Sequence, residues 1–211
     1  MKNLTIRVVL LLSLYACMTI NLYGQETKLN EWQPIFDGKT LNEWKANERT
    51  ESFAVSKGMI VADGGRSHLF YTGPVADANF KNLEFKVDVM TEPGANSGIY
   101  IHTQFQDKGW LTNGYEIQIS NSSTDRQKTG SIYNIAPTDV SMVNDLEWFT
   151  MHIIIIDQKI TVKVNNEVVV NYLEKDPEKP IGKFTEGTIA LQAHSQGSVC
   201  YFKNFYIRLL P

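Results

Sequence analysis

Cysteine is almost absent from this chain: its 211 residues include two, Cys17 and Cys200. Only Cys200 lies in the part expected to fold, so no internal disulfide can form and packing alone must hold the structure. Positive charge is not in excess either. Lys and Arg number 20 against 23 Asp and Glu, for a net charge of -3, and no basic patch stands out. That balance argues against nucleic acid or an anionic membrane as partner. Phosphate-loop spacing is missing around Gly94, Gly98 and Gly114, and no nucleophile elbow surrounds Ser97, Ser120 or Ser131. A nucleotide site and a serine hydrolase are both disfavoured.

Long hydrophobic runs are also missing, apart from the segment V-V-L-L-L-S-L-Y-A at residues 8–16. With Lys2 and Arg7 ahead of it, that segment reads as a secretory signal peptide over residues 1–24, too short for a membrane span. Cleavage before Gln25 lowers the net charge from -3 to -5 by removing Lys2 and Arg7. The expectation is an exported protein, periplasmic or secreted, with no transmembrane segment in the mature chain. The tetrapeptide L-Y-A-C offers lipid attachment at Cys17 as the alternative. Residues 25–211 then read as a single domain large enough for a substantial core.

Helical periodicity is nearly missing, with short helical turns expected only near residues 75–80 and 139–145. Strand signals fill the rest. Residues 82–90 (N-L-E-F-K-V-D-V-M) alternate apolar and polar. Strands are expected over 53–56, 59–62, 68–72, 98–104, 114–120, 130–135, 148–157, 159–164, 167–172, 187–194 and 198–209, after a polar lead-in at 25–34. Lys57-Gly58 and Asn165-Asn166 read as hairpin turns. Many short strands with regular turn signals predict an all-β sandwich or jelly roll. Trp44 and Trp148 are expected in the core, and Cys200 as a small buried strand residue.

Three of these strands carry polar residues at alternate positions, which a strand places on one face. Gly98, Tyr100, His102 and Gln104 form one row. Glu116, Gln118 and Ser120 form a second, and Gln192 and His194 a third. On one concave sheet these rows would line a groove suited to a saccharide, since amides and carboxylates bond hydroxyls and aromatic rings cover the apolar face of a pyranose. Alternatively they form the solvent side of an ordinary antiparallel sheet. Trp110 lies in a polar loop between two groove strands and reads either as a stacking platform or as a loop anchor. His102 and His194 could work as acid and base with Glu116, or with it hold a metal, for which the ligand spacing gives no support. His152 reads as structural, and His68 as a strand or loop residue. The strand at 115–120 offers one acid, Glu116, whereas ordinary glycosidases need two carboxylates.

In chain order, F-D-G-K-T-L-N-E-W (36–44), N-S-G-I-Y-I-H (96–102), G-Y-E-I-Q-I-S (114–120), T-G-S-I-Y-N-I-A-P (129–137), E-W-F-T-M-H-I (147–153), V-N-N-E-V-V (164–169), I-A-L-Q-A-H-S (189–195) and F-K-N-F-Y-I (202–207) resemble the 3-keto-disaccharide hydrolase domain family. The resemblance implies a concanavalin A-like jelly roll of two antiparallel sheets. It also implies cleavage of glycosides already oxidised at C3. Ser120, followed by Asn121, stands where such domains often have Asp, and His102 where Arg is frequent. A C3 ketone acidifies the C2 proton, so one base, an enolate stabiliser and a proton donor suffice. Glu116 or His194 would be the base and the other the donor. Tyr100, His102, Gln104, Trp110, Gln118 and Gln192 would bind the substrate. No cofactor is required, and the sequence shows no ligand cluster for the calcium that lectin-like jelly rolls often carry. The competing readings are a non-catalytic carbohydrate-binding module on the same scaffold and a conventional endoglucanase.

Overall fold

The computed structural model describes residues 28–176, 178, 181 and 184–211. The expected signal peptide, its cleavage point and Cys17 lie outside the described residues. Among the described residues no helix is long and apolar enough to cross a membrane.

The alternating pattern resolves into strands β1 (Trp32–Pro34), β2 (Trp44–Ala46), β3 (Phe53–Ser56), β4 (Met59–Ala62), β5 (Ser67–Tyr71), β6 (Leu83–Thr91) and β7 (Ser97–Thr103). There follow β8 (Tyr115–Ile119), β9 (Phe149–Ile156), β10 (Lys159–Val164), β11 (Glu167–Leu173), β12 (Thr188–Ala193) and β13 (Cys200–Leu209). They form two antiparallel sheets. The larger runs β11-β10-β9-β6-β13-β4-β3, with β1 also on β13; the smaller runs β2-β5-β12-β7-β8. This is a jelly-roll sandwich, and the only helical pieces among the described residues are single 3-10 turns at Thr50–Ser52 and Val75–Ala78.

Period-2 alternation decides which side chains fill the space between the sheets. From the larger sheet come Phe85, Val87, Val89, Met151, Ile153, Phe202 and Ile207; from the smaller come Leu69, Ile99, Ile117, Ile119, Ile189 and Leu191. Phe205 is 2% exposed. It sits where β13 is irregular, at a register shift between Lys203 and Tyr206, and its ring lies edge-on to Phe36 at 5.3 Å and to Trp44 at 5.4 Å. The hairpin turns form as their sequence demands, with positive φ at Lys57 and Gly58 and at Asn165 and Asn166.

Several local expectations are corrected. Residues 130–135 do not make a strand; Ile132 only bridges Ile117 and Ala136, because Asn134 at φ 59° turns the chain back on itself. Residues 139–145 are bends held by side chains, such as Ser141 Oγ donating to Val143 O at 2.8 Å. The lead-in contributes β1 to the larger sheet. Trp44 is buried and donates its indole N–H to Ile35 O at 3.1 Å, but Trp148 is 37% exposed under the Lys203 ammonium at 3.8 Å. A cation over the ring face suits an exposed indole better than the core does. Cys200 is buried at the start of β13, and burial pushes its thiol up to about 12, so it is inert. His152 bonds Glu84 through Nε2 at 2.7 Å on the outer face of the larger sheet.

Phe205 joins rings contributed from both sheets and from the segment ahead of β2. Phe205→Ala is expected to lower stability by about 3–5 kcal/mol in urea unfolding. A loss under about 1 kcal/mol would show that these rings do not form a connected core.

Candidate active site

The face of the smaller sheet turned away from the core carries the polar rows. Register places Gly98 opposite Gln118 and Tyr100 opposite Glu116 across β7 and β8, and Gln192 opposite His68 across β12 and β5. Above this face the loop at residues 104–114 and the segment at 121–136 form walls. Between them lies an open cleft of about 430 Å³, lined among others by Tyr100, Trp110, Glu116, Gln118, Gln192 and His194. Six of the eight residues expected to form the site therefore meet in one place.

Glu116 is at its floor. Oε2 accepts from the Tyr100 hydroxyl at 2.7 Å, and Oε1 accepts from Gln192 Nε2 at 2.8 Å. Three adjacent strands thus fix one carboxylate. Burial raises its pKa; the hydrogen bonds from Tyr100 and Gln192 oppose that rise, and the Asp125 charge adds to it. The Tyr100 phenol is pushed up by burial and by the neighbouring Glu116 charge, so it stays a donor. Gly98 makes the arrangement possible: a Cβ there would stand 2.7 Å from Glu116 Oε1 and 3.0 Å from its Cγ. Gln118 Nε2 donates to Asn96 Oδ1 at 3.3 Å. Gln118 Oε1 and Gln192 Oε1 are buried without a partner, acceptors that a saccharide hydroxyl can satisfy.

At the rim, Trp110 is 44% exposed and lies 5.0 Å from the His194 ring. Its loop is fastened down: Gly109 N–H donates to Glu48 Oε1 at 2.6 Å, and Asn47 Nδ2 donates to Gln106 O at 2.9 Å. Beneath it, His68 stands edge-on to Tyr100 at 5.3 Å and to Trp110 at 6.1 Å. Burial drops the His68 pKa to about 4, so this imidazole is a neutral support. Trp110 is thus both an anchor and a ring presented to the cleft. His194 is half-buried, with Nδ1 3.3 Å from Ser195 Oγ; burial lowers its pKa against the pull of Asp125.

His102 and Gln104 do not reach the cleft. Thr188 pairs with Thr103 while Ala190 pairs with Tyr100, so one residue of β12, Ile189, faces two of β7, Ile101 and His102. His102 takes the extra position at φ 50°, and this bulge breaks the alternation beyond Tyr100. Its ring is buried against Tyr115 at 6.4 Å, with Nε2 2.9 Å from Lys81 O. Gln104 is exposed beside a separate hollow with Asp77 and Phe105. His102 and His194 therefore share no metal site, and among the described residues no group of three His, Cys, Asp or Glu is placed to hold a metal ion. Ser120 is buried and bonds Ser123 Oγ at 2.6 Å.

The structure adds Asn96, Leu111, Asp125, Tyr133 and Asn134 to the cleft. Asp125 is a second carboxylate, supplied by the loop after β8 rather than by the strand. Its Oδ1 accepts from Gln127 N–H at 2.8 Å, and after burial its charge is what raises the pKa of the neighbouring Tyr133 phenol. Tyr133 is tied in turn to β8, its N–H donating to Glu116 O at 2.9 Å.

The chain is a concanavalin A-like jelly-roll sandwich with an acidic, aromatic-rimmed cleft on its smaller sheet, an arrangement that suits a carbohydrate. Residues 31–208 match the family model for the 3-keto-alpha-glucoside-1,2-lyase-like domain, and the chain belongs to that family. Two solved structures, each of a candidate glycosyl hydrolase from Parabacteroides distasonis ATCC 8503, are similar to it. One is 26% identical with a TM-score of 0.68, covering 86% of this chain and 100% of the other. The second is 23% identical with a TM-score of 0.71, covering 85% and 94%. The Bacillus licheniformis beta-glucanase shares the fold at 11% identity and a TM-score of 0.58, covering 88% and 100%. No curated protein matches the chain.

The clash at Gly98 is with the end of a flexible side chain, so an alanine there should displace the Glu116 carboxylate without unfolding the sheet. Gly98→Ala is expected to reduce glycoside turnover roughly a hundredfold, as misplacement of a catalytic group by about 1 Å does, while the melting temperature stays within a few degrees. Undiminished turnover would show that the position of this carboxylate is unimportant.

Proposed function

We propose that this chain cleaves glycosides oxidised at C3, with Glu116 as the base that removes the C2 proton. The observation that carries this reading is the Glu116 carboxylate, buried yet facing an open cleft, whose two oxygens each accept a hydrogen bond from a neutral donor. Acceptance at both oxygens is the pattern of an ionised group. Its raised pKa makes it a stronger base than a solvated carboxylate.

In the proposed reaction the C2–H electrons move toward the C3 carbonyl and form an enolate. The enolate collapses, the C1–O bond breaks, and the departing oxygen takes a proton. Water then adds at C1 of the enone, with a proton returned to C2, to give the free 3-keto sugar. The Gln118 amide, one of whose two N–H groups is engaged with Asn96, is the cleft group suited to donate to a substrate oxygen on which charge develops. His194, neutral near pH 7 because its pKa is lowered, is assigned to hydrogen-bond the leaving oxygen from the rim, and the proton that this oxygen takes comes from water in the open cleft. Trp110 offers a face for the sugar ring. His102, outside the cleft, has no part. Opposed carboxylates flanking C1 are not needed, because the C3 ketone supplies the activation.

The expected outcome for Glu116→Gln is loss of turnover of a 3-keto-glucoside by at least about a hundredfold, the scale of general-base catalysis, with the fold intact by circular dichroism. The base works only when ionised. Wild-type activity should therefore be full above the raised pKa of Glu116 and fall as pH drops through it, with an acid limb above the ordinary carboxylate range of about 4.3. Unchanged turnover in the variant would remove Glu116 from the reaction. Saccharide binding with no turnover in the wild type would favour a binding module.

A further inference from the structure

We propose that the cleft rejects anionic saccharides, such as uronates and sulfated sugars, and accepts neutral and protonated amino sugars, with Asp125 as the determinant. This rests on the carbohydrate-cleaving reading and names the substrate class within it. Two independent features carry it.

The first is charge. Glu116 and Asp125 both face the cleft, and among the described residues that line it there is no Lys or Arg. Three cations of the neighbouring segments take no part in its lining. Lys128 Nζ donates to Ser123 O at 2.7 Å. Arg126 is exposed and takes no part in the lining. Arg66 pairs with Glu48 at 3.2 Å, its guanidinium 5.4 Å from the Trp110 ring. Nothing in the cleft offers the fork of donors that recognises a carboxylate or a sulfate. A sugar anion would lose water and meet two like charges.

The second is the sense of the free hydrogen bonds. Gln118 and Gln192 both line the cleft, and both keep a buried carbonyl oxygen with no partner. The Asp125 carboxylate already receives the Gln127 N–H and remains an acceptor. These groups call for donors. Hydroxyls and ammonium groups donate, whereas carboxylates and sulfates only accept. The electrostatic and hydrogen-bonding demands therefore select the same ligands.

The test uses three disaccharides that share one glucosyl unit and differ only at C6 of the second sugar: glucose, 6-amino-6-deoxyglucose and glucuronate. Calorimetric affinities are measured at pH 7, at low and high salt, for the wild type and Asp125→Asn, and kcat/KM is measured for the 3-keto derivatives. The glucuronate compound should bind at least roughly tenfold more weakly than the glucose compound at low salt, and the amino compound at least as tightly. Asp125→Asn and high salt should each shrink the gap severalfold. Equal binding of glucuronate and glucose compounds, or a gap that neither Asp125→Asn nor salt alters, would overturn the proposal. If the ranking holds but no 3-keto derivative is cleaved, the selectivity stands and the catalytic reading fails. Absence of binding by all three would overturn both.

Discussion

The site depends on one constraint: the Glu116 carboxylate must sit dry and still be held in place, which is what the proposed role as a base requires. Burial alone would favour its neutral form, and the Asp125 charge pushes the same way. Two neutral donors, Tyr100 and Gln192, reach it from the neighbouring strands and stabilise the ionised form without neutralising it. A lysine or arginine partner would stabilise the charge far more and leave a weak base. Gly98 completes the device, because any side chain there would occupy the volume of the carboxylate.

This arrangement follows from the sandwich. The smaller sheet is two-faced: Ile99, Ile117 and Leu191 anchor it on the core while Tyr100, Glu116 and Gln192 stand on its other face. Hydrophobic burial on one side thereby sets the register on the other, since a slip of one residue would exchange the two sets. The loops do different work. The 104–114 loop, fastened through Glu48 and Asn47, presents Trp110, and the segment after β8 brings Asp125 and Tyr133. The sheet supplies the carboxylate at the floor of the cleft, and the loops supply its walls.

The two-sheet architecture and the strand-borne part of the cleft were legible in the sequence because alternation is a local property. Glu116, Gln118, Gln192 and Tyr100 could be placed by counting in twos. His102 and Gln104 could not, because the bulge between Tyr100 and Thr103 changes the count, and an αL histidine leaves no mark in composition. Asp125 was missed for a different reason. It lies in the polar tract S-S-T-D-R-Q-K, where nothing separates a cleft-facing acid from a solvated one. Tyr133 and Asn134 belonged to a motif that reads as a strand, and Asn134 at positive φ is what turns it into a loop. Trp148 illustrates the limit of composition, since a tryptophan can be covered by a lysine instead of a core.

The central claim, that Glu116 takes the C2 proton of a 3-keto-glycoside, meets its most direct test in heavy water. If the C2 hydrogen leaves and returns from solvent, the released 3-keto sugar will carry deuterium at C2 above the enzyme-free background, read by NMR and mass spectrometry. Cleavage that retains the original C2 hydrogen would contradict the account.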